Sequence, residues 1–321
     1  MRRRELLLTF VVALPGARAI AQDQRVWRVG VLFPAGDEPV FGELVQAMAR
    51  LGYEKERNIT YVVRAAEREA ERLPQLAREL VAQKPDVIVS ATERAASALV
   101  EATREIPIVL ALVGDPVALG LTQNMARPTG NVTGFTTGHD TVIGKRLELL
   151  REIVPGLRKT ALLLTSGNAQ HRLAVERARQ AAAVLGIELL LLPITEADDI
   201  SPAIAKAEEE RAGGILVAAD PLTIRNRRTI IDECLLRDLP AMHTYSFEVR
   251  DGALASYGSE VGEDYGRAAS YVDRILRGAK IADLPFQEPT QMTLAINLRT
   301  ARSLRLTPAP SLLVRADVVV E

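Results

Sequence analysis

Hydrophobic and polar positions follow the same order twice along this chain. In the first half, the apolar run WRVGVLF leads through small and polar residues into a helical apolar pattern that ends at Leu51-Gly52, and the apolar run NITYVV follows. In the second half, KTALLLT leads through SGN into a helical pattern that ends at Leu185-Gly186, and IELLLLPI follows. These strand–helix–strand patterns predict two copies of one βαβ plan.

The pattern predicts five strands in each copy. The segments DVIVS, PIVLALV and GILVAA are apolar almost without interruption, which is typical of parallel sheets covered by helices on both faces. The predicted strands cover 28–33, 59–64, 86–90, 108–113 and 132–135 in the first copy, and 160–165, 188–193, 214–218, 241–245 and 253–256 in the second. We therefore expect an α/β fold with two doubly wound parallel-sheet lobes.

The elements after the second copy predict that the chain returns to the first lobe and then leaves it again. A helical pattern, EDYGRAASYVDRILRG, follows Gly258, and LAINLRTARSLRL comes near the end of the chain. We expect a three-segment hinge with crossings near 130–137, 257–259 and 289–294. The predicted N-terminal lobe comprises 26–133 plus 259–290, and the predicted C-terminal lobe comprises 134–258 plus 291–321.

The first 21 residues lie outside this plan. Three arginines precede an apolar segment at 6–14, and Ala19-Ile20-Ala21 supplies the small residues of a signal-peptidase site. The sequence predicts a signal peptide at 1–21, cleaved after Ala21, and a periplasmic protein. A nine-residue apolar segment is too short for a membrane span, which needs about 20 residues. The paired arginines leave both the Sec and the twin-arginine routes open.

Composition and motifs exclude several functions. The chain has 321 residues and a net charge of −1, without the concentrated basic stripe that a nucleic-acid surface needs. The single Cys234 cannot form an internal disulfide, and the three histidines lack metal-ligand spacing, so we expect no metal and no cofactor. The segment GHDTVIGKR has one residue too many between its glycines for a phosphate loop, and Arg146 stands where Ser or Thr should bind magnesium. With no catalytic motif found, we expect no enzyme activity.

The candidate binding residues are those at the carboxyl ends of the predicted strands, where ligands bind in open parallel sheets. Ser90 ends a strand and Thr92 is a candidate N-cap, so with Ala91 between them they would present hydroxyls and free N–H groups to a ligand carboxylate. Ordinary helix capping is the alternative for this segment. The absence of a large apolar plug at these ends predicts a small polar ligand.

Two Asp-Pro corners lie at other strand ends. Asp220 would suit a ligand ammonium group, and Asp115 occupies the corresponding corner of the first lobe. Each aspartate could instead be an N-cap ahead of a proline at the first helical position. The aromatic residues Phe135, Tyr245 and Tyr257 are candidates for the walls of the cleft or for the core.

Several segments together resemble one family, the substrate-binding proteins of ABC importers, in the subgroup that includes tryptophan-type binding proteins. These segments are GNVTGF, RILRGAKIADLP and INLRTARSL, and the similarity runs from about Val29 to Glu321. The resemblance implies a type I periplasmic-binding fold whose lobes close over a ligand. It places Ser90, Ala91 and Thr92 at the ligand carboxylate and Asp220 at its ammonium group. Asn168 lies at a corner where the family often has Asn-Pro, and TSGNAQ departs from that pattern.

The resemblance also implies a function. We expect an extracytoplasmic solute-binding component that binds a small polar ligand and delivers it to an inner-membrane ABC permease. An aromatic or branched-chain amino acid fits the family best, and purines, small carboxylates and aromatic acids stay open as ligands. We expect a monomer that does not bind nucleic acid. A periplasmic ligand-sensing subunit of a signalling system is the alternative, because its cleft would have the same features.

Overall fold

The computed structural model describes residues 25–34, 39–67, 69–139, 141–167 and 171–321. The predicted signal peptide at 1–21 and the candidate site residue Asn168 lie outside these ranges.

The first lobe is built on a five-stranded parallel sheet with the strand order β2-β1-β3-β4-β5. Its strands are β1 (Trp27–Phe33), β2 (Ile59–Ala65), β3 (Val87–Ala91), β4 (Ile108–Val113) and β5 (Val132–Thr136), and the helices between them are α1 (Pro39–Arg50), α2 (Leu73–Ala82) and α3 (Glu93–Ala102). Each strand lies within one or two residues of its predicted position.

The second lobe repeats this plan and adds two strands. Its strands are β6 (Lys159–Thr165), β7 (Glu188–Ile194), β8 (Ile215–Val217), β9 (Ala241–His243), β10 (Ala255–Gly258), β11 (Thr293–Asn297) and β12 (Val318–Val320). The remaining helices are α4 (Ile143–Ile153), α5 (His171–Leu185), α6 (Ile200–Glu209), α7 (Pro221–Arg225), α8 (Arg227–Leu236), α9 (Ser246–Arg250), α10 (Val261–Leu276), α11 (Leu298–Ser303) and α12 (Pro310–Arg315). The prediction of five strands is wrong for this lobe, because β11 pairs antiparallel with β10 and β12 pairs parallel with β11.

The two Leu-Gly pairs end equivalent helices in the same way. Gly52 and Gly186 have φ values of +91° and +66°, which glycine adopts without the steric cost of a Cβ. One residue further on, the N–H of Tyr53 donates to the carbonyl of Met48 at 3.0 Å, and the N–H of Ile187 donates to that of Ala182 at 2.9 Å. These are the bonds of a Schellman motif. The repeated sequence signal therefore corresponds to a repeated helix end.

Helices cover both faces of each sheet. On one face of the first sheet, α1 and α10 enclose a core that includes Val29, Met48 and Val272, and α2 and α3 cover the other face. In the second lobe, α4, α5 and α12 pack on one face, and α6 and α8 pack on the other. The predicted α/β fold with two doubly wound lobes is confirmed.

The order of elements makes the chain cross between the sheets three times. It passes from β5 to α4, from β10 to α10, and from α10 to β11. The first predicted lobe boundary, between 133 and 134, falls inside β5, which stays paired with β4 as far as Thr136. Gln287 bridges to Phe135 before the last crossing.

Replacing Gly134 by alanine should destabilise the first lobe. Gly134 has a φ of +154°, and a Cβ added there would lie 2.1 Å from the carbonyl oxygen of Leu110, so β5 would have to move away from β4. We expect a cost of about 3 kcal/mol or more, and a fall in Tm of about 5 °C or more in a calorimetric scan.

Gly42→Ala is the matched control. A Cβ at Gly42, within α1, would meet no atom within 4 Å. This variant should keep or raise Tm, because alanine favours a helix over glycine by about 1 kcal/mol. Equal Tm values for Gly134→Ala and the unaltered protein would contradict the close approach of β4 and β5.

Candidate functional site

A cavity lies between the two lobes beside the chain crossings. It has a volume of about 90 Å³ and is lined from the first lobe by 114–116 and from the second by Leu173 of α5. The crossing residues 136–139 also line it, as do Met125, Thr141 and Glu288. The hydroxyl of Thr136 is buried and has no hydrogen-bond partner among the described residues. The cavity therefore combines apolar surface with a polar group that a ligand could bind.

Two of the crossings are tied to each other by hydrogen bonds. The Oγ of Ser259, after β10, lies 3.2 Å from Nε2 of His139, and it also donates to the carbonyl of Thr137 at 3.4 Å. The buried Arg146 of α4 donates from Nε to the carbonyl of Tyr257 at 2.7 Å. Burial and the nearby Arg146 charge hold the pKa of His139 well below its usual value of 6.5. His139 is therefore a neutral hydrogen-bonding residue of the hinge at neutral pH.

The Ser90-Ala91-Thr92 segment lies at the end of β3, as predicted, but Ser90 does not offer its hydroxyl to the cleft. Ser90 is fully buried, and its Oγ donates to the carbonyl of Leu32 within the sheet at 3.0 Å. The prediction that this hydroxyl faces the cleft is wrong, because the alternation of side chains along β3 turns Ser90 to the same face as Ile88. Ala91, the next residue, is also buried and ends the strand.

Thr92 has a strained backbone conformation. It lies at the N-cap position of α3 with φ +74° and ψ +149°, a region in which residues other than glycine are rare. Its hydroxyl makes no capping bond, and it is buried with no hydrogen-bond partner among the described residues. Conformations of this kind cost of the order of 1–3 kcal/mol and cluster at ligand-binding positions. The capping alternative considered for this hydroxyl is not realised.

Asp115 lines the cavity and also caps a turn. Its Oδ1 accepts hydrogen bonds from the N–H groups of Val117 at 2.9 Å and Ala118 at 3.1 Å. Its side chain is half-buried at the end of β4. The carboxylate therefore holds the loop and contributes negative charge to the first-lobe wall of the cavity.

The two carboxylate oxygens of Asp220 have different surroundings. Oδ1 accepts hydrogen bonds from the N–H groups of Leu222 at 2.7 Å and Thr223 at 3.0 Å, which caps α7. Oδ2 is buried and has no hydrogen-bond partner among the described residues. Nε2 of His171 lies 3.9 Å away, beyond hydrogen-bonding distance. Capping is therefore realised, and it leaves one carboxylate oxygen available.

Sequence reasoning missed His171, because it tested the histidines only for metal-ligand spacing. His171 is the first residue of α5, and its Nδ1 lies 3.1 Å from the carbonyl of Thr165 at the end of β6. Its position just after a strand end was the signal that could have identified it, since the same rule selected Asp220.

The three aromatic candidates have different surroundings. Phe135 lies in the core of the first lobe. Its ring centroid is 4.6 Å from the ring centroid of Tyr271, and the guanidinium carbon of Arg267 is 4.5 Å from the ring centroid of Phe135. The prediction of Phe135 as a wall of the cleft is therefore wrong. Tyr245 contacts His139 edge-to-face at 4.9 Å, so it lies against a residue that lines the cavity. Tyr257 is half-buried in β10 and packs against the second-lobe core.

A buried acid fixes the loop of Tyr245. Glu248 accepts hydrogen bonds from the N–H groups of Thr244 at 3.1 Å and Tyr245 at 2.9 Å, and its other oxygen lies 2.9 Å from Nδ1 of His243. Burial alone would raise the pKa of Glu248, but its contacts with His243 and these N–H groups hold it below the usual value. Glu248 is therefore ionised at neutral pH and positions Tyr245 against the hinge.

Metal binding and thiol chemistry find no support in the parts of the chain that the structure describes. No group of three His, Cys, Asp or Glu side chains there is arranged to hold a metal ion. Burial raises the pKa of Cys234 to about 12, so its thiol is unreactive at neutral pH. None of the helices in the described ranges is both long enough and apolar enough to span a membrane.

Two α/β lobes, three crossings and a cavity between the lobes define a two-lobed ligand-binding protein. Residues 30–320 match the family model for the ABC transporter substrate binding protein, and the chain belongs to this family. Because members of this family bind substrates and do not convert them, the chain is a binding protein and not an enzyme.

Known proteins resemble this chain along most of its length. It is 24% identical over 260 residues to a tyrosine-binding protein of Clostridioides difficile (strain R20291), covering 81% of this chain and 74% of that protein. A conserved domain protein from Vibrio cholerae has a structure with a TM-score of 0.83 and 26% identity, covering 92% of this chain and 100% of that one. An ABC domain from Streptococcus pneumonia in complex with L-Trp has a TM-score of 0.83 and 22% identity, with the same coverage. The predicted type I periplasmic-binding fold is confirmed.

The neutral His139 predicts that acid destabilises the folded protein. Its pKa is lower in the folded state than the usual 6.5, so below pH 6.5 the unfolded chain binds a proton that the folded chain does not. Stability from this group is therefore complete above pH 6.5 and is lost as the pH falls, by up to about 1.4 kcal/mol per pH unit. Urea unfolding between pH 7.5 and 5 should show this loss.

His139→Gln is the variant that isolates this effect, since glutamine can still hydrogen-bond to Ser259 but does not titrate. We expect the free energy of unfolding of this variant to change less with pH than that of the unaltered protein. The difference in slope should approach about 1.4 kcal/mol per pH unit, which corresponds to one proton. Identical slopes for the two proteins would show that His139 does not stay neutral when folded.

Proposed function

We propose that this protein is the extracytoplasmic solute-binding component of an ABC importer and that its ligand is an α-amino acid. It binds the ligand between the lobes and delivers it to an inner-membrane permease. The protein acts in the periplasm, as a monomer, after removal of 1–21. Membership of the ABC substrate-binding family supports this proposal, as does the similarity to proteins named for tyrosine binding and solved with L-Trp.

The observation that supports an amino acid most directly is the state of Asp220. Its side chain is only 4% exposed, and Oδ2 has no hydrogen-bond partner among the described residues. A buried carboxylate oxygen without a donor is costly, and a ligand ammonium group supplies both the hydrogen bond and the opposite charge. In this proposal, Asp220 uses Oδ1 to hold α7 and Oδ2 to bind the ligand.

The opposite lobe offers a place for the ligand carboxylate. The hydroxyl of Thr92 is buried without a hydrogen-bond partner among the described residues, at the start of α3, where the helix dipole favours an anion. Since the hydroxyl of Ser90 is already bonded within the sheet, we assign the carboxylate to the hydroxyl of Thr92 at the N-terminal end of the α3 dipole. Ala91 brings the chain to this position without a bulky side chain.

The ligand side chain would lie toward the hinge. Leu173 lines the cavity there, and Tyr245 packs behind His139. Apolar and aromatic surroundings favour an aromatic or branched-chain amino acid. Asp115 adds negative charge on the first-lobe side, so an acidic ligand side chain is disfavoured.

The crossings allow the binding step to be coupled to a change of shape. A ligand that contacts both Thr92 and Asp220 binds the closed arrangement of the lobes more tightly than an open one, and this difference in affinity shifts the population. The closed form then docks on the permease.

Uptake of radiolabelled ligand by cells with and without the gene distinguishes transport from the sensing alternative.

A thermal-shift screen tests the ligand class. We would compare α-amino acids, aromatic acids without an amino group, and nucleobases against the protein lacking 1–21. We expect a saturable rise in Tm with an aromatic or branched-chain amino acid. A rise only with ligands that lack an amino group would contradict the assignment of Asp220.

Asp220→Asn should weaken amino-acid binding selectively. Asparagine keeps an oxygen that can cap α7, but it removes the negative charge. We expect the affinity for L-tryptophan or L-tyrosine, measured by calorimetric titration, to fall by about 30-fold or more, since the ammonium loses its buried counter-charge. The affinity for the matching des-amino acids, indole-3-propionate and 3-(4-hydroxyphenyl)propionate, should change by less than about threefold.

Asp86→Asn is the control for loss of one carboxylate. Asp86 precedes β3 at the opposite edge of the sheet, where it pairs with Arg25 and accepts a hydrogen bond from the N–H of Arg28. Asp86→Asn should leave the affinities for the amino acids and for the des-amino acids unchanged. Equal losses for amino acids and des-amino acids in Asp220→Asn would indicate a general structural effect and contradict the proposed role.

A further inference from the structure

His171 is a buried residue beside the proposed ammonium site that neither capping nor core packing explains. Its side chain is 3% exposed. His171 begins α5 after β6, and it lies beside Asp220, which follows the neighbouring strand β8. Both Nε2 of His171 and Oδ2 of Asp220 are buried without a hydrogen-bond partner among the described residues. Two neighbouring side chains therefore each leave one polar atom unsatisfied at the same place.

The other ring nitrogen fixes the tautomer of His171. Nδ1 lies 3.1 Å from the carbonyl oxygen of Thr165. A carbonyl oxygen only accepts hydrogen bonds, so Nδ1 must bear the proton. In the neutral imidazole, Nε2 is then an acceptor, like Oδ2 of Asp220.

The distance between these two acceptors suits one ammonium group. They are 3.9 Å apart, too far for a direct hydrogen bond. Two acceptors that share one tetrahedral NH₃⁺ lie about 4.5 Å apart when each bond is about 2.8 Å long. A shift of less than about 1 Å at the side-chain ends would therefore let one nitrogen bind both.

We propose that His171 and Asp220 together form a two-acceptor subsite for the ligand ammonium, with His171 as a specificity-determining residue. This inference rests on the proposed function and adds a second protein contact to it. Asp220 supplies charge and one hydrogen bond, and His171 supplies the second hydrogen bond and sets its direction. The subsite selects ligands whose amino nitrogen has at least two N–H bonds, and it disfavours N,N-dimethyl amino acids, which have one.

Affinity measurements on two His171 variants test the subsite. Leucine at 171 removes the acceptor and keeps a similar bulk, whereas glutamine restores a side-chain acceptor. We expect His171→Leu to weaken L-tryptophan or L-tyrosine binding by about tenfold or more, as for loss of a buried hydrogen bond to a charged group. The same change should alter des-amino acid binding by less than about threefold, and His171→Gln should recover most of the lost affinity.

Nitrogen NMR of the imidazole rings gives a readout that a merely structural role would not change. The chain has three histidines, so the signals of His171 are identified by their absence in His171→Gln. We expect Nε2 of His171 to be unprotonated in the free protein and to shift when L-tryptophan or L-tyrosine binds. The matching des-amino acid, which fills the same cleft without an N–H donor, should not produce this shift.

The outcomes separate this inference from the proposed function. If Asp220→Asn weakens amino-acid binding but His171→Leu does not, Asp220 acts alone and the two-acceptor subsite is overturned. A His171 ring protonated on both nitrogens in the free protein would also overturn it, because the pair would then be an internal ion pair. If the unaltered protein binds des-amino acids and no amino acid, the proposed ligand class fails as well.

Discussion

All strands of a parallel sheet end at the same edge, and this constraint decides where the candidate binding residues lie. Thr92 and Asp115 follow strands of the first sheet, and Asp220 and His171 follow strands of the second. Elements far apart in sequence therefore place their polar ends together. The cavity between the lobes includes Asp115 from one of these ends, together with residues of the first crossing.

The crossings add a second constraint, because three chain segments must pass between the lobes through a small space. His139 and Ser259 hydrogen-bond to each other from different crossings, and a Cβ at Gly138 would lie 3.1 Å from the side chain of Met292 in the third. Arg146 is buried against the carbonyl of Tyr257. The hinge is thus a packed and hydrogen-bonded unit.

In the proposed site, binding and stability make opposite demands on Thr92 and Asp220. Thr92 keeps a backbone conformation that glycine would adopt more easily, and the buried oxygen Oδ2 of Asp220 has no partner among the described residues. Such features are destabilising in the free protein, and proteins retain them where function requires a strained or unsatisfied group. The extensive apolar cores on both faces of each sheet offset this cost.

Much of the fold was predictable, because local patterns determine it. Apolar runs marked the strands, and Leu-Gly marked the ends of α1 and α5. The pairing of β11 and β12 was not predictable in this way, since it depends on contacts between distant segments. Strand β12 is also a run of only three valines.

The candidate site was predictable in position more than in detail. The strand-end rule selected Thr92, Asp115 and Asp220, and each of them follows the end of a strand in the structure. This rule does not show which way a side chain points, so it also selected Ser90 and Phe135. The hydroxyl of Ser90 is hydrogen-bonded within its sheet, and the ring of Phe135 packs in the core. His171 was missed because its partner Asp220 is distant in sequence and becomes a neighbour only in the folded protein.

A crystal structure of the protein lacking 1–21, in complex with the amino acid that raises Tm most, would locate both ends of the ligand. We expect the ligand between the lobes, with its amino nitrogen about 3 Å from Oδ2 of Asp220 and its carboxylate at the start of α3. A ligand whose amino group lies away from Asp220, or one bound outside the cleft, would refute the roles proposed for Asp220 and Thr92.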